Sequence, residues 1–154
     1  MYELIVGNLA RQAKGMELLE QLQMEEFDLM TSMKTEEIAG LEFSIHELLR
    51  QLAVERDEIR QNMQGTRILE YAEILPEEQG EHVRRLYQAI DLAEQRCAKQ
   101  SERNSSLSLS LLDQSHMLME TLYEQITPKE LSVYGAKGAY AVHRPQAAII
   151  NGRL

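Results

Sequence analysis

The 154-residue chain has no tryptophan, only two phenylalanines, three prolines and a single cysteine. Each shortage excludes something. With so few aromatics, any core has to be aliphatic, drawn from Leu, Ile and the eight Met. One cysteine, Cys97, rules out an internal disulfide and a cysteine-rich zinc site. No apolar run approaches the ~20 residues that a membrane helix needs. Met1-Tyr2-Glu3-Leu4 lacks the basic segment of a secretory signal. Positive charge is also short: 16 Lys and Arg stand against 25 Asp and Glu, a net charge of −9. That disfavours nucleic acid and anionic lipid as main partners, because both are bound by Lys and Arg. These absences together predict a soluble cytoplasmic protein.

What is present is helical periodicity. Pro76, Pro128 and Pro145 leave two long proline-free stretches, and proline is the residue that most strongly breaks a helix. In the first stretch, Val6, Leu9, Ala13, Met16, Leu19 and Leu22 step by three or four, and Phe27 and Met30 resume the stripe. This predicts a first helix over 3–31. Thr35 is placed to cap a second helix over 35–64, with Glu36 and Glu37 at the positive end of its dipole. That helix has a seven-residue series, Ile38, Ile45, Leu52 and Ile59. Leu41 and Leu48 fill the intermediate position until Glu55 breaks it, and Gly65 is the expected terminator. Residues 65–79 read equally as a short helix or a packed loop. Pro76-Glu77-Glu78 suits the first turn of a third helix over 79–127.

The third helix carries its own seven-residue series: Val83, Ile90, Cys97, Asn104, Leu111 and Leu118. The serine-rich centre predicts a kink or loosened turn near Asn104–Ser106. At ~1.5 Å per residue, this helix is much longer than the other two and should overhang or bend around them. The predicted fold is therefore all-α: an elongated antiparallel helical bundle or coiled coil of three main helices, residues 1–127. A non-helical tail, 128–154, follows. The body to Thr127 has 12 basic and 24 acidic residues, net −12, and the tail has 4 basic and 1 acidic, net +3. The tail is either mobile or folded back on the acidic body.

Catalytic chemistry is not supported. There is no phosphate loop, dinucleotide fingerprint or nucleophile elbow. His46-Glu47-Leu48-Leu49-Arg50 fails as a zinc motif, because Arg50 stands where the second ligand belongs. Asp113 and His116 imitate one half of a di-iron site and lack the other half. No metal and no cofactor is expected. Glu25, Glu26, Asp28, Asp57 and Glu58 read as solvated carboxylates. Cys97, on the seam, reads as a buried structural thiol. Asn104 is a polar residue on the same seam, where it can fix register or oligomer state, or mark the kink.

The binding signal is at the end of the third helix. Leu111, Leu112, Met117, Leu118, Met119, Leu122, Tyr123 and Ile126 exceed the single stripe that a three-helix bundle buries. Such an excess predicts a partner helix, or cover by the first helix, the tail or a second copy.

The order of three pieces resembles the FlgN-like flagellar export chaperone family. They are an acidic leucine-rich helix with Glu36-Glu37-Ile38 through Glu47-Leu48-Leu49 to Glu55-Arg56, then Asn104 with Leu107 to Leu112, then Tyr134-Gly135-Ala136-Lys137-Gly138. The resemblance spans roughly residues 5–138. It implies a non-enzymatic cytoplasmic chaperone that binds the C-terminal helical segment of hook–filament junction proteins and delivers them to the type III export gate. It further implies that Leu107, Leu111, Leu118, Met119, Leu122 and Tyr123 grip the cargo helix, and that Tyr134 and Gly135 contact the gate. Ser105–Ser110 and the tail after Gly138 depart from the family pattern. The alternative is a coiled-coil adaptor, homodimeric through the seam of the second helix.

Overall fold

The computed structural model describes residues 1–126. They form four helices and, among the described residues, no strand: α1 Tyr2–Thr31, α2 Thr35–Met63, α3 Ile68–Ile74 and α4 Glu77–Ile126. Met1–Ser115 makes one compact unit, and the described residues His116–Ile126 belong to a second. The first unit contains the core.

Side-chain pairings give the directions of the helices in that unit. Asn8 and Arg11 meet Glu55, while Gly15 lies against Leu48 and Leu52, so α1 and α2 are antiparallel. Tyr2 meets His82, Met16 meets Cys97 and Gln23 meets Asn104, so α1 and α4 run parallel. The last two pairs share one offset of 81 residues. Arg56 of α2 bridges to Glu94 of α4.

The core follows the periodicities of the sequence. Ile5, Leu9, Ile59, Met63, Ala72, Val83 and Ile90 form one cluster; Met16, Leu19, Ile45, Leu52, Ala93 and Cys97 form the next. Both seven-residue series therefore point inward, Ile45-Leu52-Ile59 from α2 and Val83-Ile90-Cys97 from α4. The seam proposed for a homodimer through α2 is used within the chain itself. Leu22, Leu41 and Leu48 pack at the edge of the second cluster.

Two element boundaries differ from expectation, and one stretch left open by the sequence is decided. Thr35 is the first residue of α2 and not its cap. Lys34 takes the cap position and makes no side-chain cap bond. The turn before it is closed by Met33 in the left-handed region, at φ 57°. Helix α4 begins at Glu77, so Pro76 precedes it, and the Pro76 carbonyl accepts the Gly80 N–H at 2.9 Å. Residues 68–74 are a helix, whose entry is held by Glu70 accepting the Arg67 N–H at 3.3 Å.

Gly80 lies inside α4 because α3 comes too close for any side chain there. A Cβ at Gly80 would collide with the Ala72 carbonyl oxygen. No kinked or loosened turn interrupts the helical assignment at Asn104–Ser106. The Asn104 amide is spent on α1, and Ser110 and Ser115 donate back to the Ser106 and Leu111 carbonyls at 3.0 Å.

Candidate functional site

The apolar core of the first unit ends in a polar layer centred on Asn104. This side chain is buried, and both ends of its amide are engaged. Its Nδ2 donates to the Gln23 carbonyl and to Glu26 Oε2, each at 2.7 Å. Its Oδ1 accepts from Gln100 Nε2 at 2.8 Å. Burial pushes the Glu26 carboxyl above the ordinary glutamate range. The neighbouring Glu42 carboxyl adds to the shift, while the bond from Asn104 opposes it. Glu42 in turn lies 3.6 Å from His46 Nε2. Glu26 is thus no solvated surface carboxylate. The sequence reading missed it because its partners lie on two other helices.

A second polar group sits in the opposite half of the core. Asn8 Nδ2 donates to the Glu55 carbonyl and to Glu55 Oε2, and Gln12 Nε2 donates to Asn8 Oδ1 at 2.6 Å. Arg11 grips the Glu55 carboxylate through two nitrogens, at 2.7 and 2.8 Å. Glu55, which looked like a break in the α2 series, is the acceptor that a buried Asn8 requires.

Beyond Asn104, the first unit places Leu107 and Leu111 half-buried, with Leu109 and Leu112 exposed. Two of the predicted contact residues are therefore partly covered by the body of this unit. The second unit begins at His116, and its helical residues are all exposed. Leu118, Met119, Leu122, Tyr123 and Ile126 are between 47% and 77% exposed. At ~100° per residue they fall on one arc of about 140°, leaving Met117 on the opposite side. Glu120 follows Tyr123 beyond one margin of that arc, while Glu124 falls beside Met117 on the far side. Lys and Arg do not occur between His116 and Ile126. The arrangement offers an apolar strip with an acidic edge.

A separate cavity of about 980 Å³ lies in the first unit between α2, α3 and α4, with Leu9 and Gln12 of α1 at its floor. Arg56, Arg60 and Arg67 face it, as do Asp91 and Glu94. None of the cargo-contact residues predicted from the sequence lines it. Cys97 is buried and donates from Sγ to the Met16 carbonyl at 3.4 Å. Burial, then the charge of Glu20, raises its pKa, so the thiol stays protonated and unreactive. Tyr134 and Gly135 lie outside the described residues, as does the tail. Among the described residues, no helix is long and apolar enough to cross a membrane.

No curated protein and no solved structure matches the chain. A family model described as "FlgN protein" matches residues 1–141, which takes in all four helices. On that match the chain belongs to the FlgN protein family, whose members are flagellar export chaperones.

Proposed function

We propose that the protein is a cytoplasmic, non-enzymatic export chaperone for hook–filament junction proteins. It binds their C-terminal helical segment, keeps that segment from assembling early, and delivers the subunit to the export gate. The observation that carries this reading is the exposed strip Leu118, Met119, Leu122, Tyr123 and Ile126 at the end of α4. An amphipathic helix laid on such a strip buries its own apolar face and exchanges two exposed surfaces for one interface. The acidic edge at Glu120 favours a cargo helix with Lys or Arg along one shoulder. Leu107 and Leu111 extend the contact set in the half-buried part of α4. Tyr134 and Gly135 are assigned to the gate.

The alternative, a homodimeric adaptor paired through α2, is less well supported. Ile45, Leu52 and Ile59, which would form its seam, are buried in the chain's own core.

Calorimetric titration of the full chain with the C-terminal helical segment of the junction proteins tests the proposal. Binding at micromolar Kd or tighter is expected. The double substitution Leu118→Ser with Leu122→Ser should weaken it at least about tenfold, the loss of two partly buried leucines at the interface. No heat of binding with a folded wild-type protein would reject the chaperone reading in this form.

A further inference from the structure

The α1–α4 seam has one polar rung. At the shared offset of 81 residues, Leu9 stands opposite Ile90, Met16 opposite Cys97, Gln23 opposite Asn104, and Met30 opposite Leu111. Leu9, Met16, Gln23 and Met30 are all buried, as are Ile90, Cys97 and Asn104. Sliding α4 along α1 by one heptad keeps the hydrophobic stripe intact, since Leu, Met, Ile and Val interchange with little loss. The same slide would set Asn104 against Met16 or Met30, and Gln23 against Cys97 or Leu111. Main-chain carbonyls line α1 in every register, but only the observed one sets Asn104 beside the Glu26 carboxylate; a one-heptad slip would put Leu19 or Met33 there.

The rung is not there for stability. Gln23 Oε1 is buried without a hydrogen-bond partner among the described residues. Glu26 is drawn into a half-buried position beside Glu42, although both are acids. A leucine pair would fill this layer at lower cost. What the rung provides is discrimination: a slipped register takes the buried Asn104 amide away from its charged acceptor, Glu26, and sets an apolar side chain in its place.

We infer that Asn104 is a positioning residue that locks α4 against α1 in a single register, through its bond to the Glu26 carboxylate. The lock sets how far along α1 the segment with exposed Leu109 and Leu112 and half-buried Leu107 and Leu111 stands. Its consequence for cargo rests on the proposed function, whereas the register itself does not.

Pulsed electron spin resonance on the full chain reads the register directly. Spin labels replace the exposed Lys14 and Ser106 in a Cys97→Ala background. Wild-type Asn104 should give one distance. The Asn104→Leu variant should add a second population displaced by about 10 Å, the rise of seven helical residues. Its affinity for the junction-protein helical segment should fall by about twofold or more, because apparent Kd rises as the competent fraction falls. A single distance at the wild-type value in Asn104→Leu overturns the register lock, whatever happens to binding. Two populations with unchanged cargo affinity uphold the lock and overturn its consequence for cargo. If Asn104→Leu alone does not fold, Gln23→Leu with Asn104→Leu makes both side chains of the layer apolar, and the same distances decide.

Discussion

At Glu26, burial and the Glu42 carboxyl hold the pKa above the ordinary glutamate value of about 4.5. The folded state therefore keeps this proton more tightly than the unfolded chain. Stability from the group is fully present below about pH 4.5 and is lost as pH rises through the raised value. Glu47 has the opposite sign. Arg50, then Gln51, holds its carboxyl down at about 2, so its contribution is present above the ordinary value and lost on acidification. Glu47 lies at the solvent-facing surface of α2, and its effect is correspondingly screened. The prediction concerns Glu26→Gln, which keeps an oxygen to accept the Asn104 amide and cannot ionise. Melting temperatures followed from about pH 4 to about pH 7 should show the wild type falling relative to the variant, with the two converging at the acid end. Parallel curves across that range would mean that Glu26 is not strained in the fold.

Among the elements, α3 is tied to α4 by the closest backbone approach noted at any glycine of the described chain, Ala72 against Gly80. Gly80→Ala should force the two elements apart and cost about 1–3 kcal/mol in urea denaturation. Unchanged stability would show that α3 can swing away without penalty. The main helices were legible in the sequence because each carries several turns of one stripe. Ile45, Leu52 and Ile59, and Val83, Ile90 and Cys97, became core positions as their spacing predicts. Seven residues of α3 are too few to show a period, which is why 65–79 read equally as helix or loop. Hydrogen-bond partners were not legible at all. Glu55 looked like a defect in the α2 series and Glu26 like surface charge. Each is explained only when Asn8 or Asn104 arrives from another helix. The cap of α2 was misplaced by one residue for a related reason. Met33 adopts the left-handed turn without a glycine to announce it.

For the whole molecule, stability and recognition fall on different residues. The buried apolar clusters belong entirely to Met1–Ser115, while the strip assigned to cargo is mostly in His116–Ile126, where every side chain is exposed. The excess of apolar residues at the end of α4 was legible from composition, but their sorting onto one arc depends on the helix continuing to Ile126. This division makes a paired prediction. Ile5 is wholly buried, and Ile5→Ala should remove about 2–5 kcal/mol of stability through lost contacts and a cavity. At a temperature where the variant remains folded, its cargo affinity should match the wild type, since Ile5 is no part of the proposed strip. Leu118→Ser with Leu122→Ser should do the reverse, moving stability by less than about 0.5 kcal/mol because both side chains already face solvent. Thermal melts and calorimetric titrations on the same preparations read both quantities. If the Ile5 variant lost binding while folded, recognition would depend on the packed body rather than on the exposed end of α4. A large loss of stability in the Leu118 and Leu122 variant would show that these leucines are covered within the chain, and the strip could not then be a free surface for a cargo helix.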